Sequence, residues 1–302
     1  MSSYRSAIRR VSVRTVIFVA ACCAMALSPS LRADAPTSGG EKPLVMVVMD
    51  PLALPLSCPC VKGYAQRDYE KLAAALETQL KRKIKLVFNE SLSVALRDQT
   101  DGKADLVIGK ASVVRHDTAK HKLDAVPLAM LTGKDGSTQQ TGLIVVPSDD
   151  PAKSVADLKG YRIIFGPAEC DEKHAAALAL LKKNGVTPPA EMETSAACSD
   201  GATMILELRP KVHAAAVISS YAKPLLEGCG TINKGDLRVV GETEPVAFVG
   251  AFATKSLSAS QQAQVLAALM KASVDPLLLI ALETKSGFVP LEQEVAQAAK
   301  KK

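Results

Sequence analysis

The feature that most constrains this chain is its alternation of short, continuously apolar runs with amphipathic stretches. Leu44–Met49 is an unbroken apolar run that ends at Asp50, as expected of a strand buried on both faces of a parallel sheet. Residues 66–81 follow with apolar side chains at helical spacing. The pattern then predicts a strand, a helix and a strand at Ile84–Phe88, Ser91–Gln99 and Asp105–Ile108. This order predicts an open, doubly wound α/β sheet.

A second block of the same design starts at Thr141. Strands are predicted at Leu143–Val146, Tyr161–Phe165, Ala214–Ile218 and Leu237–Val240, and helices at Val155–Leu158, Asp171–Lys183 and Ala202–Leu208. Extended backbone at Pro245–Thr254 should return to the first block, and helices at Ser260–Lys271 and Pro276–Thr284 should close the chain. The length suits two lobes, predicted as 43–140 plus 247–302 for lobe 1 and 141–246 for lobe 2.

Residues 1–33 have the pattern of a secretory signal peptide. Four arginines precede an acid-free apolar run, Val16–Leu27, which is shorter than the roughly 20 residues that a membrane-spanning helix needs. Cleavage is predicted after Ala33, with 34–42 as a flexible lead-in. The sequence before Cys22 also resembles a lipoprotein box, so lipid anchoring at Cys22 stays an alternative. We therefore expect a soluble protein that is periplasmic or secreted.

The composition excludes some classes of ligand. Without the five arginines of residues 1–33, the chain has 32 basic against 31 acidic residues, so it has no electrostatic footprint for nucleic acid. The absence of tryptophan and the few tyrosines and phenylalanines argue against sugar stacking or an aromatic cage for quaternary amines.

Five cysteines remain after the predicted signal peptide: Cys58, Cys60, Cys170, Cys198 and Cys229. In an oxidising compartment they favour disulfides, for instance Cys198 with Cys229 and Cys170 with Cys58 or Cys60. The alternative is a soft-metal site built from Cys58, Cys60, Cys170, His174 and Cys198. It depends on Cys170 and His174 sharing one face of the predicted helix.

Two motifs resemble those of type II periplasmic solute-binding proteins. The sequence GKADLVIG at 102–109 resembles the step at which a helix ends and a strand leads into the cleft. The sequence SVADLKGYRIIFG at 154–166 resembles the start of their second lobe, S-x-x-D-L-K-G-x-x-[IV]. The resemblance covers roughly residues 44–275 and is closest to the phosphate/phosphonate-binding family of ABC importers.

The resemblance implies two lobes, each a doubly wound mixed sheet with flanking helices, and a ligand cleft between them that closes on a solute. We expect a monomer that captures a phosphate- or phosphonate-like oxyanion and presents it to an ABC transporter permease. No catalytic or dinucleotide motif is present, so we expect neither an enzyme nor a cofactor. The alternatives are an accessory protein that binds another exported protein, for example a redox protein, or a Cys/His soft-metal binder.

Twelve side chains are candidates for ligand binding because they follow predicted strands or lie near the predicted crossing: Asp50, Lys110, Ser112, Thr138, Thr141, Glu169, Cys170, Asp171, His174, Ser219, Ser220 and Tyr221. The resembled phosphonate binders carry serine and threonine in the loop after the second-lobe strand. Here that loop carries Glu169, Asp171 and Glu172. These acids would repel a phosphonate, unless they only stabilise the N-terminus of the following helix.

Overall fold

The computed structural model describes residues 42–57 and 65–291. The strands, in chain order, are β1 (Leu44–Met49), β2 (Ile84–Phe88), β3 (Leu106–Lys110), β4 (Val126–Leu131), β5 (Gln139–Gln140), β6 (Gly142–Pro147), β7 (Arg162–Phe165), β8 (Glu193–Thr194), β9 (Ala214–Ser219), β10 (Leu237–Glu242), β11 (Val246–Ala247), β12 (Val249–Ala253) and β13 (Phe288–Pro290). The helices are α1 (Tyr69–Leu80), α2 (Leu92–Asp98), α3 (Ala111–Lys120), α4 (Ala175–Lys183), α5 (Cys198–Leu208), α6 (Ala222–Gly228), α7 (Ala259–Ala272) and α8 (Pro276–Ala281). A 3₁₀ turn covers Val155–Leu158.

The first sheet has the strand order β13-β4-β12-β3-β1-β2. Strand β1 is parallel to both of its neighbours, β2 and β3, and all six of its residues are buried. Such burial explains why its sequence is apolar without alternation. Strand β12 lies antiparallel between β3 and β4, so this segment, far along the chain, completes the first sheet.

The second sheet has the order β10-β6-β9-β7-β8. Strands β7 and β9 are parallel, whereas β6 is antiparallel to both β9 and β10. The short strands β5 and β11 pair with each other where the chain leaves the first sheet and where it returns. The predicted α/β fold with two mixed sheets and flanking helices is confirmed, while the exact lobe boundaries stay a prediction.

Side-chain caps fix where several helices begin. Asp68 accepts a hydrogen bond from the N–H of Lys71 at the start of α1, and Ser258 forms a capping box with Gln261 at the start of α7. These caps satisfy N–H groups that have no partner within the helix. Ser154 and Asp157 form a further capping box, within the motif that resembled the start of a second lobe.

The predicted helix Asp171–Lys183 was wrong at its start, because α4 begins only at Ala175. Residues 171–174 form turns, in which the N–H groups of Lys173 and His174 both donate to the carbonyl of Cys170. Glu172 and Lys173 are buried there, which is incompatible with an exposed first helical turn. Cys170 and His174 therefore do not share a helix face.

The predicted disulfide between Cys198 and Cys229 is also wrong, because both cysteines are free. The Sγ of Cys198 accepts the N–H of Ser219 at 3.4 Å, while the Sγ of Cys229 contacts the Thr231 hydroxyl at 3.0 Å. Cys170 is free as well, against its predicted pairing with Cys58 or Cys60, which lie outside the described residues.

The predicted signal peptide, the Cys22 alternative and the lead-in up to residue 41 lie outside the described residues. Within 42–57 and 65–291, no helix has the length and apolarity needed to cross a membrane.

Gly142 allows β6 to lie against the turn that contains Glu172. A Cβ at position 142 would lie 2.0 Å from the carbonyl oxygen of Glu172, a distance at which backbone must move. We predict that Gly142→Ala lowers the free energy of unfolding by about 1–3 kcal/mol, measured by urea denaturation. Gly201→Ala in α5 is the control, because its Cβ would be 3.7 Å from the nearest atom. The control should gain roughly 0.5–1 kcal/mol. Equal stability of the two variants would contradict this account.

Candidate functional site

A buried ion pair joins the two sheets. Lys110, at the end of β3, places its ammonium against the Glu172 carboxylate, which the second sheet supplies from the turn after β7. Ser219, at the end of β9, donates its hydroxyl to the same Oε1 of Glu172 at 2.7 Å. Lys110 is 7% exposed, and Glu172 and Ser219 are 0% exposed. Strand ends from both sheets therefore converge on one carboxylate, as open α/β sheets arrange their ligand sites.

The surroundings of this pair decide its charge state. Burial alone would lower the pKa of the Lys110 ammonium, yet this pKa is raised, because the Glu172 carboxylate lies against the ammonium. Burial also raises the pKa of the Tyr221 phenol and of the Cys170 thiol, so both remain neutral. Lys110 is thus a permanently charged, desolvated cation, and such a group needs an anionic partner.

The loop from Gly166 to His174 holds Glu172 in this inward position. Its ends are joined by the N–H of Gly166, which donates to the carbonyl of Lys173 at 3.1 Å. The Nδ1 of His174 lies 2.9 Å from the Gly166 carbonyl. The buried Lys173 donates its Nζ to the carbonyl of Ala196 at 2.7 Å, which fastens the loop to the segment before α5. These hydrogen bonds hold the loop in place, so it is not a frayed helix end.

Two further contacts cross between the sheets beside the pair. The N–H of Asp171 donates to the Ser112 hydroxyl at 3.3 Å, and Arg115 of α3 forms an exposed ion pair with the Asp171 carboxylate at 3.2 Å. The two sides of the cleft are thus in contact here, and the structure shows a closed arrangement.

A second buried cluster lies where β1 ends. The Oδ2 of Asp50 accepts Nη1 of Arg67 at 2.9 Å and the hydroxyl of Tyr69 at 2.6 Å. The guanidinium of Arg67 lies 5.3 Å from the ring centroid of Phe248, and Phe248 stacks on Tyr221 at 5.1 Å. Burial and the Asp50 charge raise the pKa of Tyr69 well above its ordinary value. The cluster links the first sheet, the chain between β11 and β12, and Tyr221, which lies two residues after β9.

An open cavity of about 310 Å³ lies beside this second cluster. Residues of the first sheet's loops, of strand β5 and of the segment after β9 line it. They are Leu52, Ala65, Arg67, Gly133, Lys134, Asp135, Ser137, Gln139, Gln140, Ser220, Tyr221, Phe248 and Glu283. Neither Lys110 nor Glu172 is among them, so the cleft has a charged part and a separate cavity.

The twelve candidate residues lie in different parts of the site: beside the Lys110–Glu172 pair, in the Arg67 cluster, in the cavity lining, or outside all three. Those beside the Lys110–Glu172 pair are Lys110, Ser112, Cys170, Asp171, Ser219 and Tyr221. Asp50 belongs to the Arg67 cluster, and Ser220 lines the cavity. Of the other four, Glu169 lies close to Cys170, and the backbone carbonyl of Thr138 accepts the N–H of Phe248. The Thr141 hydroxyl bonds the exposed Glu242, and the Nδ1 of His174 contacts the Gly166 carbonyl. Their roles as ligands stay predictions.

Sequence reasoning missed five residues that shape the site: Arg67, Tyr69, Gln140, Glu172 and Phe248. Arg67 and Tyr69 fell within the stretch predicted as helix. Glu172 was considered as one of three acids that would either repel a phosphonate or stabilise a helix N-terminus, and not as a partner of Lys110. One signal was available for it, since three acids replaced the expected hydroxyls of a phosphonate binder.

The predicted soft-metal alternative finds no support in the part of the chain that the structure describes. No group of three or more His, Cys, Asp or Glu side chains there could hold a metal ion. His174 and Cys170 are separated by the turn described above, and Cys58 and Cys60 lie outside the described ranges.

Known proteins show the same architecture. The chain superposes on the Xanthomonas citri protein XAC2383 bound to ATP with a TM-score of 0.62 at 17% identity, over 85% of this chain and 94% of that one. A binding-protein component of an ABC phosphonate transporter from Pseudomonas aeruginosa gives 0.62 at 13%, over 83% and 82%. PhnD1 from Prochlorococcus marinus in complex with methylphosphonate gives 0.61 at 12%, over 86% and 99%. At these identities the likeness establishes the fold.

No curated protein matches the chain in sequence. A family model does match, over residues 63–295, and its description is that of the phosphonate periplasmic substrate-binding proteins of ABC transporters. The match spans more than half of the chain and both sheets. The chain therefore belongs to the family of periplasmic substrate-binding proteins of ABC phosphonate transporters.

Proposed function

We propose that this protein is exported by its N-terminal signal peptide, captures a small oxyanionic solute between its two lobes, and presents the solute to an ABC importer. Residues 1–33 would be the signal peptide, 43–140 with 247–302 lobe 1, and 141–246 lobe 2. Family membership supports a binding protein that presents its solute to a permease, rather than an enzyme, and we propose that it acts as a monomer.

The observation that carries the proposal is the desolvated ammonium of Lys110 at the meeting point of the two sheets. A carboxylate oxygen already sits against it and accepts the Ser219 hydroxyl as well. An ammonium and a hydroxyl that converge on one oxygen form an oxyanion site. A phosphonate oxygen could take the position that Glu172 Oε1 takes here, and methylphosphonate is the ligand of the similar PhnD1.

Glu172 must then act as an internal competitor for the solute. Because it is tethered beside Lys110, its effective concentration is high, of the order of millimolar or above. A solute binds when the lobes separate enough to release the carboxylate, and then closes the lobes in its place. The three acids of the 169–172 segment thus do not exclude an oxyanion, although they lower its affinity.

Methylphosphonate should bind the mature protein, and Lys110→Met should abolish the binding because it removes the cation that lies against Glu172. Isothermal titration calorimetry and thermal stabilisation measure this. Because Lys110→Met leaves Glu172 buried without a counterion, the double variant Lys110→Met/Glu172→Gln provides a folded form that also lacks the cation. Arg115→Met is the control, since it removes an exposed cation of the same interface and should bind normally.

The proposal would be contradicted if the wild type bound neither methylphosphonate nor phosphate and if no small molecule remained bound to it after purification. Co-purification of an exported protein in that case would favour the accessory role instead.

Glu172→Gln should bind methylphosphonate at least about 10-fold more tightly than the wild type, equivalent to roughly 1.4 kcal/mol, because the competing charge is gone. The unliganded variant should be less stable by about 3–5 kcal/mol, since Lys110 stays buried without an anion. Added ligand should restore much of this loss. Asp171→Asn is the matched control, because its ion pair with Arg115 is exposed and contributes little. Unchanged affinity in Glu172→Gln would show that the solute does not replace this carboxylate.

A further inference from the structure

The cavity beside the Arg67 cluster is a second recognition site within the cleft. Its volume of about 310 Å³ lies at the lower end of the range for small-molecule pockets in proteins, about 300–1,000 Å³. Because Lys110 and Glu172 do not line it, a molecule in this cavity must be recognised by other groups. Tyr221 connects the two parts, since it lines the cavity and also lies close to Lys110.

Gln140 is the unusual residue of the cavity lining. It is 5% exposed, and both the oxygen and the nitrogen of its side-chain amide are buried without a hydrogen-bond partner among residues 42–57 and 65–291. Its backbone is held in β5 by pairing with Val246, so the residue stays at this position. A buried amide with neither of its groups bonded is rare, because each unpaired group costs its full desolvation free energy.

Arg67 adds a third unpaired group. Its Nη1 is bonded to Asp50, but its Nε is buried and has no hydrogen-bond partner in the part of the chain that the structure describes. Arg67 lines the same cavity. Gln140 and Arg67 together therefore offer two donors, Nε2 and Nε, and one acceptor, Oε1. A ligand that satisfies all three must carry an acceptor oxygen next to an N–H donor.

The charges of the lining indicate that this ligand group is uncharged. The cation of Arg67 is neutralised by Asp50, and Lys134 is paired with Glu283. Asp135 adds a carboxylate to the same lining. The cavity therefore has no excess positive charge for a second anion, in contrast to the position beside Lys110.

We propose that this cavity binds an uncharged amide-type group of the solute, such as a carboxamide, lactam or urea. The carbonyl oxygen of the group accepts from Gln140 Nε2 and Arg67 Nε, and its N–H donates to Gln140 Oε1. Tyr221 and Phe248 supply the apolar wall beside it. The inference rests on the proposed function, because it places this group on the same solute whose oxyanion binds near Lys110.

Benzamide is a suitable probe, because it has the amide edge and a ring for the apolar wall. We expect it to bind the full mature chain with a Kd of about 1 mM or tighter, measured by calorimetry and by ligand-observed NMR. Benzoate and acetophenone lack the N–H donor and should bind at least about 10-fold more weakly, since Gln140 Oε1 would stay unpaired. Equal or tighter binding of either one would overturn the assignment.

Gln140→Leu separates a ligand-binding role from a structural one. Benzamide affinity should fall by at least about 10-fold, whereas the melting temperature of the unliganded protein should stay the same or rise, because no hydrogen bond is lost. Gln262→Leu is the matched control, since its amide is partnered and donates to the carbonyl of Leu257 at 2.9 Å. The control should melt at a lower temperature and bind benzamide normally. A destabilised Gln140→Leu with unchanged benzamide affinity would overturn the inference.

Methylphosphonate titrations distinguish this inference from the proposed function. The methylphosphonate affinity of Gln140→Leu should lie within about 2-fold of the wild-type affinity, because methylphosphonate has no amide group that could contact Gln140. Gln140-dependent benzamide binding without methylphosphonate binding would contradict the proposed function and support the cavity. Methylphosphonate binding without benzamide binding would overturn the cavity alone.

Discussion

The contact between Lys110 and Glu172 is the constraint on which the closed arrangement depends. It joins the end of β3 to the turn after β7, and both partners are removed from solvent. A buried ion pair adds little net stability, because desolvation offsets most of the attraction, yet removing one partner is costly. Such a pair is therefore better suited to defining which two surfaces meet than to holding them together. That property suits the opening and the anion exchange that we propose for the cleft.

Three residues of the second sheet and its loops fix the position of Glu172 through close contacts. The absence of a side chain at Gly142 lets β6 approach the carbonyl of Glu172, and Gly166 leaves room for Lys173, whose Cβ would be 2.4 Å from a Cβ at position 166. Ser219 supplies the second hydrogen bond. These residues come from three different strand ends, which explains how one short loop can present a charged group inward at a fixed position.

The same geometry shows what a single sequence can predict. Strands β1 and β2 were predicted at their observed bounds. Strand β1 is buried along its whole length and is therefore apolar throughout, whereas the mostly apolar β2 lies at the edge of the sheet and exposes Lys85. Helix α3 was missed, since it has a low share of apolar residues and its N-cap residue, Lys110, makes no side-chain cap. The inward turn of Glu172 could not be predicted, because acids also favour helix N-termini. The inward turn is distinguished from a helix N-terminus by the close approach of Gly142, which is distant in sequence.

The residues that sequence reasoning missed are those whose roles arise from pairing across the fold. Arg67 would be an ordinary surface cation if Asp50 and Phe248 did not enclose it, and Gln140 lies in a strand of only two residues. Neither position carries a motif. The two proposed subsites also depend on pairing across the fold: the position beside Lys110 offers a cation, while the cavity beside Gln140 has balanced charge and unpaired hydrogen-bonding groups. The solute that we propose is therefore an anion at one end and a neutral donor and acceptor at the other. On this proposal, a simple inorganic oxyanion would occupy only one of the two subsites.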